Sequence, residues 1–290
     1  MNPGTAAALL AYGLWGMMPL YFQLMAPAGA VEVLAQRVLW SLALLIGVLA
    51  AQGQIGPLLR QLNLRLVGNQ LLAALLVGAN WLTYVWAAMN GHAVDASLGY
   101  FILPLFNVAI GVLLLGERLE RLEWAGVAAA ALGVTWLTWV GGKLPWVALV
   151  LAVSFSLYGL IKKRSPLPAV PGLALETALL APLAAAALAW LAARGELTFG
   201  HAGWRVDLAL ASTGLLTALP LGAFGYAAQR LGLALLGMLQ YISPTLQFIF
   251  AVTLLGETVD ARRLAGFGLV WLGLALFTLA LVRQQRARAA

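Results

Sequence analysis

The 290 residues are 63% hydrophobic and only 9% charged, whereas a typical soluble domain carries about 25% charged residues. So few polar groups could not cover a water-facing surface, which indicates that most apolar side chains face a lipid bilayer. The net charge of +7 is spread over single basic residues and small clusters between apolar runs. This distribution suits membrane-surface anchors and argues against nucleic-acid binding.

Ten apolar runs are long enough to cross a bilayer, which takes about 20 residues of helix. In chain order, the predicted spans are residues 5–25, 31–51, 67–89, 95–115, 122–140, 145–162, 172–193, 207–229, 232–255 and 263–282. The connections are short, and the longest, 52–66 and 194–206, are predicted to be loops. No separate soluble domain is therefore expected between the spans.

The distribution of Lys and Arg predicts the orientation of the chain. With the N-terminus in the cytoplasm, eleven of the 17 basic residues fall in inside segments, five fall outside, and Arg37 lies within a span. Because basic residues concentrate on the cytoplasmic side, both termini are expected on the cytoplasmic side of a bacterial inner membrane. The basic tail and the Lys162–Lys163–Arg164 cluster are the strongest predicted surface anchors.

The chain contains an internal repeat at an offset of 140 residues, which aligns residues 102–133 with 242–273 without a gap. Leu and Ala matches carry little weight in this composition. The informative matches pair Pro104 with Pro244, Gly116–Glu117 with Gly256–Glu257, Gly126 with Gly266, and Gly133 with Gly273. We interpret the repeat as a duplication, with one half in residues 1–141 and the other in 142–290.

The repeat places equivalent spans five helices apart. Because five is odd, the second copy runs through the membrane upside down, with Glu117 at the cytoplasmic surface and Glu257 at the outer one. The predicted fold is an all-α membrane protein of ten transmembrane helices, arranged as two inverted-topology five-helix repeats. This plan recurs among secondary transporters, which hold substrate between the halves near the midplane.

Several short motifs resemble one known family. They are Trp15–Gly16 with Pro19 and Tyr21, Gln36–Trp40, Gly78–Trp81, Asp95–Phe101, Pro104–Leu105, Leu115–Arg118, Gln240–Ile242, Pro244–Thr245 and Gly256–Glu257. Together they resemble the RarD-type members of the EamA family, in the drug/metabolite transporter superfamily. The resemblance covers nearly the whole chain and implies ten helices in two halves, with a role in moving drugs or metabolites, often outward. It does not supply a substrate.

Two polar–Pro–polar stripes occupy paired positions in the repeat and predict a shared central cavity. They are Tyr100, Pro104 and Asn107 in span four, and Gln240, Pro244 and Gln247 in span nine. The spacing puts each set on one helical face. Both prolines are predicted helix breaks, because proline leaves a carbonyl without its helical donor. The alternative is a kink with polar side chains bonding across packed helices.

Arg37 in span two and Glu176 in span seven lie at near-equivalent positions of the two halves and are the main buried ionisable candidates. A charge costs about 2.5 kcal/mol or more at the bilayer centre, so both side chains should face protein or water. Arg37 could hold an anionic group, and Glu176 could hold a cation or exchange a proton. The alternative is local pairing for folding, or reach to the membrane interface.

Five further residues complete the predicted cavity: Trp15, Asn80, Trp81, Tyr84 and Tyr158. Aromatic rings can bind flat or cationic solutes, although belts at the membrane interface are the alternative. Glu117 is predicted to support the helical hairpin that follows it. No phosphate-binding loop or zinc motif occurs, the chain has no Cys, and neither cofactor nor metal is expected.

The sequence thus predicts a secondary transporter that exports a small metabolite or drug by alternating access. Coupling to protons through Glu176 and uncoupled facilitation both remain open. The rival classes are a non-transporting scaffold or sensor and an intramembrane enzyme, which the scarcity of ionisable residues disfavours. Lipid and a small-molecule substrate are the expected partners, and the oligomeric state is not determined.

Overall fold

The computed structural model describes residues 2–25, 27–89, 93–141, 146–253 and 260–289, and these ranges contain α-helices and no strand. The helices are α1 Pro3–Phe22, α2 Ala30–Ala51, α3 Ile55–Gln61, α4 Leu64–Met89, α5 Ala93–Leu115, α6 Arg121–Gly141, α7 Trp146–Arg164, α8 Ala169–Ala193, α9 Trp204–Arg230, α10 Leu233–Gln240, α11 Ile242–Thr253 and α12 Ala261–Ala289. A 3₁₀ turn, Gln23–Met25, follows α1.

Eight of these helical segments are long and apolar enough to cross a membrane: α2, α6, α7 and α8, α9, the first part of α4, the stretch Leu233–Phe250, and α12 up to Arg283. Helix α5 adds a shorter apolar stretch, Gly99–Leu115. Large apolar side chains such as Leu113 and Trp139 point outward, 79% and 72% exposed. The chain is therefore a multi-pass membrane protein, as predicted.

The predicted loop at 52–66 differs from the structure because it contains helix α3. This seven-residue helix buries none of its side chains. Burial of one apolar face supplies the periodic signal by which helices are recognised in a sequence. A short helix that is only partly buried therefore leaves little trace in the sequence.

Helices α6 and α12 pack antiparallel through their glycines. A Cβ built at Gly126 would lie 2.7 Å from the carbonyl oxygen of Gly273, and one at Gly133 would lie 2.8 Å from that of Gly266. Only residues without a side chain allow backbones this close. Since Gly266 and Gly273 are the repeat partners of Gly126 and Gly133, the offset of 140 exchanges one contact for the other.

Helix α5 likewise runs antiparallel to α10 and parallel to α7. Tyr241, between α10 and α11, donates its hydroxyl to the carbonyl of its repeat partner Phe101 at 3.1 Å. The carbonyl of Leu103 in α5 accepts from Ser156 of α7 at 3.5 Å. Ser243 in α11, the repeat partner of Leu103, donates its hydroxyl to the carbonyl of Tyr12 in α1 at 2.6 Å. Helix α5 therefore contacts α7 much as α11 contacts α1.

The two repeated prolines have different consequences. The predicted span nine is broken at Tyr241, between α10 and α11, three residues before Pro244. The predicted break at Pro104 is absent, because α5 continues through that residue. Helix α10 packs tightly at this turn, where a Cβ on Gly237 would lie 2.7 Å from the Pro104 carbonyl oxygen. Packing against neighbouring helices is what allows a proline inside a membrane helix.

Both described chain ends lie at one end of the bundle, which we call the terminal end. Gly4 packs against Arg230 and Leu231, which precede α10. The antiparallel contact with α6 carries the C-terminal part of α12 toward Arg121, where α6 begins. Helices α2, α5 and α7 therefore begin at the opposite end of the bundle.

Candidate functional site

A cavity of about 70 Å³ lies among α1, α2, α4 and α5 of the first half and α7, α10 and α11 of the second. Eight predicted site residues line it: Trp15, Arg37, Asn80, Trp81, Tyr84, Tyr100, Gln240 and Pro244. Four further lining residues were not predicted: Met18, Leu103, Phe155 and Ser243. Residues about 200 positions apart thus share one space between the halves.

Arg37 is the one charged residue among the described residues that line the cavity. Its side chain is only 7% exposed. The Nε atom donates to Thr217 Oγ1 in α9 at 2.9 Å, and the guanidinium carbon lies 4.7 Å from the centre of the Trp81 ring. Among the side chains that the structure describes, no carboxylate lies within salt-bridge distance of the guanidinium. The predicted burial of Arg37 is confirmed.

Amide side chains fix the polar wall of the cavity. Asn80 Nδ2 donates to the Leu151 carbonyl at 2.9 Å and to Ser154 Oγ at 3.0 Å, which ties α4 to α7. Gln240 Oε1 accepts from Asn107 Nδ2 at 3.1 Å. Asn107 does not itself line the cavity, and its buried Oδ1 has no hydrogen-bond partner among the described residues. Asn107 therefore orients Gln240 from behind.

A cluster of aromatic rings lies between the cavity and the terminal end. Trp15 and Phe155, which line the cavity, have ring centres 5.5 Å apart, and Phe155 lies 5.0 Å from Phe224. Phe224 in turn stacks on Tyr158 at 6.0 Å. The fully buried Tyr12 joins the cluster and donates its hydroxyl to the Leu236 carbonyl at 2.9 Å. These rings fill the interior of the bundle on that side.

A buried ion pair lies between the aromatic rings and the terminal end. Lys162 Nζ is 2.7 Å from Glu176 Oε1, each side chain is 1% exposed, and Tyr158 donates to Glu176 Oε2 at 3.1 Å. Gly172 and Gly225 leave room for the lysine, because a Cβ there would lie 3.2 Å and 3.1 Å from its side chain. Glu176 and Tyr158 therefore lie outside the cavity lining. The predicted role of Lys162 as a surface anchor is wrong.

Glu117 joins the connection after α5 to the start of α10 at the terminal end. Its Oε1 accepts from the backbone N–H of Leu233 at 2.6 Å and its Oε2 from that of Ala234 at 2.9 Å. A carboxylate at a helix N-terminus accepts hydrogen bonds from free N–H groups and interacts favourably with the helix dipole. Nearby, Lys163 Nζ donates to the Leu231 carbonyl at 2.5 Å. Glu117 thus caps α10 of the other half, beyond the hairpin role expected for it.

Some predicted residues lie outside the described part of the chain, and some residues of the site gave no recognisable signal in the sequence. The Gln247 side chain and all of Glu257 lie outside the described residues. Ser243 could have been found, since it adjoins Pro244 on the predicted stripe. Phe155 and Met18 could not, because apolar residues occur throughout the spans. The burial of Lys162 had no signal of its own, since basic residues at helix ends usually reach the surface.

Comparison with known proteins identifies the family. The model of the EamA-like transporter family matches residues 2–139. The chain is 47% identical to the protein RarD of Streptomyces exfoliatus, over 96% of this chain and 90% of that one. It is 46% identical to an uncharacterized transporter of Pseudomonas aeruginosa, over 96% and 94%. A protein of known crystal structure shares the fold, with a TM-score of 0.73 and 23% identity over 96% of this chain and 98% of that one. This chain is a RarD-type member of the EamA-like transporter family.

Proposed function

We propose that the protein is a secondary transporter of the bacterial inner membrane that moves a small metabolite or drug outward by alternating access. The observation that carries the proposal is the cavity, which both halves line with polar and aromatic side chains. It is closed toward the terminal end by the ring cluster and by the Glu117 cap on α10. A central site that is closed toward one end of the bundle is consistent with one state of an alternating-access cycle.

The proposed architecture is ten spans in two inverted halves, residues 1–141 and 142–290, with α10 and α11 forming one broken span. The antiparallel contacts support it. Gly126 meets Gly273 and Gly133 meets Gly266, which is the pattern expected for a two-fold axis lying in the membrane plane. An axis of that kind turns one half upside down relative to the other.

We place the terminal end in the cytoplasm, because ten of the 17 Lys and Arg residues, without the buried Lys162, fall in the segments on that side. Arg37 and Tyr100 are each the eighth residue of a helix that begins at the opposite end. The cavity therefore occupies the outer part of the bundle, and the described conformation is closed to the cytoplasm.

Thiol labelling tests this orientation cleanly, because the chain has no Cys. Exposed Gln61 and His201 are at opposite ends of the bundle. In intact cells, a membrane-impermeant maleimide should label His201→Cys and leave Gln61→Cys unlabelled until the membrane is opened. Labelling of both positions from outside would exclude the proposed topology.

Flux through proteoliposomes tests transport itself. A screen of metabolites by thermal shift would select candidates, since a ligand that binds the folded form stabilises it. Tyr100→Ala and Gln240→Ala should slow flux of a selected compound. If folded variants transport normally, these two side chains do not bind the transported compound, and if the unaltered protein moves none of the selected compounds, the scaffold or sensor alternative gains support. Flux that ignores a pH gradient would favour a facilitator over proton coupling through Glu176.

A further inference from the structure

We infer that the cavity recognises the carboxylate of a small monoanion with a flat apolar body, and that Arg37 is the group that binds it. The inference rests on the proposed transport function and names the class of substrate. It begins from the electrostatic state of Arg37. A guanidinium that is 7% exposed within a span has lost most of its hydration. Such a charge is costly in the bilayer unless an anion or water compensates it.

The protein itself provides only part of this compensation. The Nε edge donates to Thr217 and one face rests on Trp81. Neither terminal Nη group donates a hydrogen bond to any residue that the structure describes. Arg37 lines the cavity, so these donors are available to a bound ligand. Two N–H groups of a guanidinium match the two oxygens of a carboxylate in a planar, bidentate pair.

The charge of the lining sets the charge of the ligand. Among the lining residues that the structure describes, Arg37 carries the single formal charge, and the other polar side chains, such as Asn80 and Gln240, are neutral. A monoanion would make the occupied cavity neutral, which lowers the cost of holding it away from water. A doubly charged phosphate would leave a net negative charge, and a cation would add to the positive one. The lining therefore favours a carboxylate over both.

The remaining walls set the shape of the ligand. Trp15, Trp81, Tyr84, Tyr100 and Phe155 surround the polar groups with aromatic rings. Rings of this kind bind flat apolar groups by stacking and edge contacts. Because Thr217 and Trp81 hold Arg37 in place, the donor pair is already ordered, and ligand binding costs little conformational entropy at Arg37.

Three probes of one shape and different charge test the inference: benzoate, neutral benzamide and cationic benzylamine. Thermal unfolding of the purified protein in detergent should shift upward with benzoate and much less with the other two. Inorganic phosphate and acetate serve as anion controls and should stabilise less than benzoate. Equal shifts with benzoate and benzamide, a preference for benzylamine or phosphate, or no shift with any probe would each overturn the inference.

Variants then assign the effect to one residue. Arg37→Gln should weaken benzoate binding by about 30-fold or more, as expected when a buried charge-assisted pair is lost. Arg37→Lys should keep part of the affinity, because it keeps the charge but not the planar fork. Arg194→Gln, at an exposed residue of the opposite end, is the matched control and should bind normally. Undiminished binding by folded Arg37→Gln contradicts the assignment.

The outcome of these binding tests can be distinguished from the outcome of the transport tests. A protein that transports a neutral compound in proteoliposomes and ignores benzoate would overturn the substrate class and leave transport standing. A protein that binds benzoate through Arg37 and moves no tested monocarboxylate across a membrane would support the site and count against the transporter. Even where Arg37→Gln fails to fold, the three-probe comparison on the unaltered protein decides the charge preference.

Discussion

Arg37 and Glu176 hold corresponding places in the two halves, and their surroundings differ completely. Each is the eighth residue of its helix, α2 or α8. Glu176 is neutralised inside the protein by Lys162 and receives a further hydrogen bond from Tyr158. Arg37 has a neutral partner in Thr217 and an aromatic face, and it lines a cavity.

The difference shows that two charges at near-equivalent helix positions are compensated in different ways. In the second half, the protein completes the charge balance, so the pair can act as a structural tie between α7 and α8. In α2, Arg37 has no counter-ion among the described residues and lines the cavity. A buried charge within a membrane is expected to be functional by default, and here the presence or absence of a partner separates the two cases.

The largest expected effect is on the complete pair. Glu176→Ala should lower the free energy of unfolding by about 3–5 kcal/mol, because it leaves Lys162 buried without its counter-ion. The double variant Lys162→Met/Glu176→Leu should recover most of this loss, because no unpaired charge remains. Equilibrium unfolding in mixed detergent measures both.

The exposed pair Arg194–Glu196 provides the matched control for this experiment. Its side chains are 54% and 47% exposed. Glu196→Ala should therefore cost no more than about 1 kcal/mol. If the double variant at Lys162 and Glu176 is as unstable as the single one, the pair contributes more than charge balance, and the contrast with Arg37 weakens.

Glu117 offers an intermediate case, a carboxylate that is satisfied by backbone N–H groups of α10. Glu117→Gln should lower the free energy of unfolding by about 1–2 kcal/mol, since the amide keeps one acceptor and loses the charge at the helix N-terminus. Glu120→Gln, exposed in the same connection, should change it by less than about 0.5 kcal/mol. Equal effects of the two variants would show that the cap does not hold the halves together.

Among the three charged groups compared, Glu176, Glu117 and Arg37, the smallest stability effect is expected at Arg37. Arg37→Met should leave the free energy of unfolding within about 1 kcal/mol of the original, because the lost hydrogen bond and ring contact are offset by removal of a poorly compensated charge. The same unfolding assay, run without ligand, gives the comparison with Glu176→Ala. A loss as large as that at Glu176 would mean that Arg37 is already paired within the protein.

The spans and the buried charges could be predicted from the amino-acid sequence, because each depends on local composition. A run of about 20 apolar residues has one stable environment in a bilayer, as a helix. The positions of α2, α6 and α8 follow from that rule within a few residues, and the burial of Arg37 follows from its place inside α2. Family membership was likewise readable from short motifs along the whole chain.

Only the tertiary structure decided which groups meet. Pro104 and Pro244 are equivalent in the sequence, yet α5 continues through Pro104, whereas the second span is interrupted at Tyr241. The pairing of Lys162 with Glu176 and the cap of Glu117 on α10 join residues of separate helices. Such contacts depend on how packed helices are placed, and local composition does not encode that placement residue by residue.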